Sequence, residues 1–243
     1  MADVNSIGAL RTDITLTLQT QYATRLWQGK NVNKDNKQIT RIISVPVCLS
    51  ILNRITQHAA QDDPYADAYL MKIESKILST REKMAKLADK MTDIYAENVP
   101  GAIELKNSFN VDPAKIPLAI RSSIGYQLIY LLADFDYFTT VAMTAAHIAI
   151  MPRQEVRNLV EQAAHLVRSV FGLIQRYQDA GVSRADMRAG TANALAAIAR
   201  FGKLPEDILS GKTRSQFAPV NIALFAEAED NDEKSEAVDK EIG

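Results

Sequence analysis

The stretch Arg11-Thr-Asp-Ile-Thr-Leu-Thr-Leu-Gln-Thr20, running on into Tyr22, Arg25, Leu26 and Trp27, decides how the rest of the chain is read. Side chains alternate across a strand with period two, so Ile14, Leu16 and Leu18 share one face and Arg11, Asp13, Thr15, Thr17 and Gln19 share the other. One face is wholly apolar and the other wholly polar. A strand that feeds a short helix is predicted. Thr, Gln and Arg on the polar face have the donors and acceptors that read base edges in a DNA major groove. The same alternation equally describes a half-buried antiparallel strand whose outer face is merely solvated.

Composition narrows the class. Of 243 residues, 47% are hydrophobic and 23% charged, which is the balance of a soluble globular protein with a sizeable core. Cys48 is the single cysteine, so an intrachain disulfide is impossible. No basic-then-apolar leader opens the sequence, and a cytoplasmic location is expected. The net charge of -1 hides an asymmetry: Glu227 to Gly243 carries -6, residues 1 to 226 carry +5, and residues 1 to 60 alone carry +4. The basic excess therefore sits beside the polar strand, as a polyanion partner would require, although a solvated surface accounts for an excess of this size as well. Residues 1–226 are expected to form a single domain of strand and long helices, and 227–243 a disordered acidic tail.

Working outward, the polar segment Gly29 to Lys37 reads as a loop whose lysines can hold phosphates. Ile39 to Val47 is β-branched and suggests a second strand, with Pro46 at its edge or at a helix start, and a modest helix follows to Gln61. Asp62-Asp63-Pro64-Tyr65-Ala66-Asp67 is a helix start: an Asp N-cap, proline in the first turn and an acid facing the dipole, which explains the three carboxylates without chemistry. Leu70, Ile73, Ile77, Thr80, Met84, Leu87, Met91 and Ile94 then trace a seam of alternating threes and fours, to be engaged by another helix of this chain or of a second copy. Ile103 to Arg121 reads as a hairpin turning at Asp112-Pro113. Its outward residues Lys115, Pro117, Ala119 and Arg121 make it a rival ribbon. Ile124 to Met151 is apolar nearly all round, but Asp134 and Asp136 break it, so it is the core helix and not a membrane span. A seam helix from Arg153 to Asp179, a helix from Arg184 to Phe201 and a short turn after Pro205 complete the body.

Catalytic constellations are missing. His58, His147 and His165 lie far apart with no metal-ligand spacing, no glycine-rich phosphate loop or Gly-x-Ser-x-Gly elbow occurs, and Cys48 is flanked by apolar residues as an inert buried thiol would be. No enzyme, cofactor or metal is expected.

The segments Leu10 to Thr20 with Arg25-Leu-Trp-Gln-Gly-Lys30, Asp62 to Asp67 with Ile73-Glu74, and Gly125-Tyr126 with Leu131 to Asp136 and Thr144 to His147 together resemble the AcaB-like regulators of conjugative plasmids and integrating conjugative elements. The resemblance spans roughly the first 150 residues. It implies a transcriptional regulator, an activator, of conjugative-transfer genes. It also implies a mostly helical α+β fold with a ribbon-helix-helix-related core, in which two protomers of a homodimer each lend one strand to a ribbon in the major groove. On that reading Arg11, Thr15, Thr17 and Gln19 read bases of double-stranded DNA, and Arg25, Lys30, Lys34, Lys37 and Arg41 hold phosphates. Lys115 and Arg121 serve the rival ribbon, RNA polymerase is a further expected partner, and no membrane is involved. The alternative is a helical interaction protein of the conjugation apparatus that binds no DNA and docks through its seams.

Overall fold

A computed structural model describes residues 14–30, 42–105 and 108–220. Strand β1 (Ile14–Leu18) leads into α1 (Gln21–Gln28), and α2 (Val45–Ala60) and the long α3 (Pro64–Asn98) follow. Strand β2 (Ala114–Leu118) comes next, then α4 (Ser123–His147) and α5 (Arg153–Gln175). The short helices α6 (Arg184–Ala189), α7 (Ala192–Phe201) and α8 (Glu206–Leu209) close the order. The fold is thus mostly helical with one small antiparallel sheet, as expected.

The central helix is α4, which packs against α3, α5, α2 and α1. Its apolar circumference is the reason: Leu128, Leu131, Leu132, Phe135 and Phe138 are all buried, and they can be so only with neighbours on several sides. No helix among the described residues is long and apolar enough to cross a membrane. The α3 seam is consumed inside the chain, since Leu70, Ile73, Ile77, Thr80, Met84 and Met91 are buried and the helix rests on α4, α2 and α5. Arg81 of α3 adds a surface tie, donating to Asp134 at 2.7 Å and to Gln127 at 3.1 Å on α4.

Three local readings are corrected. Among the described residues the Ile103–Arg121 hairpin is not seen: β2 is the strand of this stretch, and it pairs with β1 in the register Thr15 opposite Pro117 and Thr17 opposite Lys115. Alternation signals a strand but not its partner, and β1 needs one for its backbone groups. The second strand predicted over Ile39 to Val47 is not found from Ile42 onward. Ile42 makes an isolated bridge to Lys30, and Ser44 caps α2 with Pro46 in the first turn, so Val45–Val47 are helical. The helix expected over Arg184–Phe201 is two helices, because Gly190 takes a left-handed conformation (φ 63°) and Thr191 caps a fresh start.

Asp62, Asp63 and Asp67 divide into two roles. Asp63 is the N-cap of α3, its Oδ1 accepting from Tyr65 N at 2.8 Å and Ala66 N at 3.2 Å. Asp62 and Asp67 instead bind Arg184, whose guanidinium is 1% exposed, at 2.7 Å each. Arg214 closes the group with a two-pronged contact on Asp67 at 2.9 Å. A capping pattern explains one of these three carboxylates, and distant arginines explain the others.

Replacing Asp67 by Asn leaves two guanidiniums against a buried neutral amide, and urea denaturation is expected to show a loss of about 3–5 kcal/mol. Asp63 behaves in the opposite sense. Burial pushes its carboxyl up to about 6, so the fold favours the protonated form, and the associated stability is full near pH 4 and is lost as the pH rises through 6. Asp63→Asn retains a capping oxygen. It is expected to raise the melting temperature at pH 7.5, to leave it nearly unchanged near pH 4, and to flatten the pH profile between the two.

Candidate nucleic-acid interface

The ribbon is amphipathic because both of its strands are. Leu16 and Leu18 of β1 are buried, and Ile116 and Leu118 of β2 are half-buried beside them. On the opposite face Thr15 and Thr17 stand exposed next to Pro117 and Lys115. The two strands that sequence reading sets up as rivals are the two halves of one ribbon, formed within a single chain. β1 thus has a pairing partner within its own chain. Pro117 sits in a two-stranded sheet, where a missing N–H is tolerated.

The ribbon's orientation is set from below by Asp136, a buried carboxylate in the interior of α4. Its Oδ2 accepts from Gln19 N at 2.6 Å, and its Oδ1 accepts from Thr20 N at 2.9 Å and from Thr20 Oγ1 at 2.6 Å. Thr20 Oγ1 in turn accepts from Ala23 N as the N-cap of α1. One carboxylate thereby fixes the end of β1, the start of α1 and their relation to the core helix.

Gln19 has a partner within the fold. It lies half-buried beyond β1, its Oε1 accepts from Asn110 N at 2.8 Å, and its backbone oxygen accepts from Asn110 Nδ2 at 3.0 Å. It clamps the segment that delivers β2. Arg121 is exposed but lies past the end of β2, outside the paired ladder. Arg11, Lys34, Lys37 and Arg41 lie outside the described residues.

Arg25 and Lys30 are exposed and share a cleft with Tyr22, Ile42, Glu161 and Arg168. Lys30 is held by the bridge to Ile42, with N–H···O distances of 2.8 and 3.2 Å. Only glycine fits before it: Gly29 has φ 72°, and a Cβ there would come within 2.7 Å of Ile42 O and Ser44 N. Arg168 and Glu161 also border a neighbouring groove between α3 and α5, rimmed by Lys83, Lys86, Lys90 and His165. The basic surface thus runs from α1 across α5 to α3. Sequence reading treats the α3 lysines as an ordinary solvated face, since nothing local shows that Arg168, far along the chain, lies beside them.

The chemistry that a catalytic site would need is not assembled around Cys48, which is buried and whose thiol burial pushes up to about 12. His147 and His165 are exposed on separate helices. His58 is the histidine with acidic company: Tyr177 Oη lies 2.8 Å and Asp179 Oδ1 3.3 Å from its Nδ1.

Comparison with known proteins bears on this surface. The family model described as transcriptional regulator AcaB matches residues 6–221, beyond the portion in which the sequence motifs are apparent. Among solved structures, selenomethionine-containing AcaB from uropathogenic E. coli is similar in fold, with a TM-score of 0.50 and 12% identity over 81% of this chain and 94% of that one. No curated protein matches the sequence. With the family model covering β1 through the segment beyond α8, the chain belongs to the AcaB family of transcriptional regulators.

Proposed function

We propose that this regulator binds double-stranded DNA sequence-specifically, with the β1–β2 ribbon in the major groove, and activates conjugative-transfer genes. The observation that carries the reading is the outward face of the ribbon: Thr15, Thr17 and Lys115 exposed on one side, with the other side buried and the whole anchored by Asp136. A B-DNA major groove is about 12 Å wide and admits a two-stranded ribbon. Threonine hydroxyls donate or accept to several base edges and their methyls contact thymine, while lysine donates to guanine. In the sequence, Arg11 continues the alternation of Thr15 and Thr17, and Gln19 is left out of the set because its Oε1 is held by Asn110 N.

Phosphates would be held by Arg25, Lys30 and Arg168, joined by Lys34, Lys37 and Arg41 of the sequence between Lys30 and Ile42. These cations fix the register of the protein and carry no sequence information. A homodimer belongs to the proposal with a changed task. It places two complete ribbons on two half-sites instead of building one ribbon from two chains. The exposed apolar residues Ile103, Phe109 and Val111, the last two 79% and 93% exposed, offer the surface that a second copy would cover. Contact with RNA polymerase follows from activation and remains part of the same proposal. A helical docking protein is less well supported, because the seams that it would use are buried against this chain's own helices.

Fluorescence anisotropy on promoter fragments of the transfer region tests the reading. Thr17→Ala and Lys115→Ala are each expected to cost about 1–3 kcal/mol on the preferred fragment and to leave non-specific DNA unchanged. Lys30→Ala and Arg168→Ala are expected to weaken all fragments alike and to reduce the salt slope by about one phosphate contact each. Equal affinity of the wild-type protein for every fragment at all salt concentrations would reject sequence-specific reading. Asp136→Ala, which touches no DNA, is expected to lower stability by about 3 kcal/mol through its lost charged hydrogen bonds and to abolish fragment preference before it abolishes non-specific binding.

A further inference from the structure

We infer that His58, Asp63 and Asp179 form a binding site for one divalent first-row transition-metal ion, with the Tyr177 hydroxyl at its margin. His58 stands in the last turn of α2, Asp63 is the N-cap of α3, and Asp179 lies in the segment between α5 and α6. One ligand atom from each of the three falls within 4.8 Å of the others. Tetrahedral ligands at the usual distance of about 2.1 Å sit about 3.4 Å apart, so closure requires a movement of about an ångström. Asp179 can supply it, being 54% exposed on a non-helical segment.

The observation that points to a ligand is the second oxygen of Asp63. The residue is 5% exposed, and Oδ1 satisfies two backbone amides as a cap. Its Oδ2 is buried and receives no hydrogen bond from any described residue. A buried carboxylate oxygen without a donor is costly and is seldom left so without a proton or an ion beside it. Nearby arginines are engaged with other groups: Arg184 binds Asp62 and Asp67, Arg214 binds Asp67, and Arg54 lies over the Tyr177 ring. What does share the space is an imidazole and a second carboxylate. One nitrogen and two oxygen donors suit zinc, cobalt or manganese better than magnesium, which favours all-oxygen sets.

The ion would join the turn between α2 and α3 to the chain leaving α5, and so tie the layer of α6, α7 and α8 to the main body. This inference does not depend on DNA reading, and its test uses no DNA. The full-length protein, stripped with a chelator, is titrated with Co2+ at pH 7.5 and followed by visible absorption, with Zn2+ binding measured by calorimetry. One equivalent with nitrogen–oxygen coordination is expected, together with a raised melting temperature that the chelator reverses. His58→Gln, Asp63→Asn and Asp179→Asn should each weaken binding by at least about tenfold, whereas His165→Gln should not. Asp63→Asn keeps the cap, so its metal-free melting curve reports that the fold is intact. Absence of saturable uptake by the wild-type protein overturns the inference. So does uptake of unchanged strength in the three variants, which would belong to other carboxylates such as those of Glu227 to Gly243.

Discussion

A carboxylate removed from water must find donors, and Asp136 finds all of them at the junction between β1 and α1. That requirement links the ribbon to the core more tightly than apolar contact alone would. Leu16 and Leu18 supply non-directional attraction to the body, which would tolerate sliding or rotation of a short strand. The three hydrogen bonds to Asp136 remove that freedom, because each has a preferred distance and angle. The outward direction of Thr15 and Thr17 is thus inherited from the rotation of α4 about its own axis. A reading surface needs this kind of support: base-edge hydrogen bonds fail with displacements of under an ångström, and a ribbon on a loose hinge could not supply them.

The second buried polar assembly, around Arg184, joins other elements. Two carboxylates on the turn into α3 and two guanidiniums from the last part of the described chain meet where all are largely withdrawn from solvent. Ion pairs of this kind add little net stability compared with an apolar substitute, but they discriminate strongly against arrangements in which one member lacks its partner. Here the discrimination fixes the short helices α6 and α8. With four to six residues each, they have too few turns to be stable alone. Arg184 is the first residue of α6, and it donates to Ile208 O in α8 at 2.9 Å and 3.2 Å.

Much of this architecture was legible in the residues. The period of Leu70 to Ile94 and of Val156 to Ile174 located both long seams, and Asp63-Pro64 located the start of α3, because capping and periodicity are local properties of the chain. The alternation of Thr15 and Thr17 against Leu16 and Leu18 located the strand and its solvent face. The pairing of β1 with β2 was not legible, since nothing in either strand encodes a partner 100 positions away in register. The roles of Asp136, Asp67 and Gln19 were hidden for the same reason. Local pattern makes Asp136 a break in an apolar helix, Asp67 a favourable charge in a first turn, and Gln19 a base-reading side chain. Each is defined by a contact more than ninety residues distant.

The separation of β1 from β2 also has a consequence in time. A hairpin can form while its own residues are still the newest in the chain, but this ribbon closes a loop of about a hundred residues. Closing so long a loop is entropically unfavourable until the intervening helices have shortened the distance, so contacts of this order form late in folding. During synthesis β1 emerges early and waits, its apolar edge uncovered, until β2 and then Asp136 follow it out of the ribosome. A truncated or half-folded chain therefore presents the basic residues of α1 without the ordered ribbon. Under the proposed function, such a species would stick to nucleic acid through charge without selecting among sequences, and selectivity would be a property of the finished molecule.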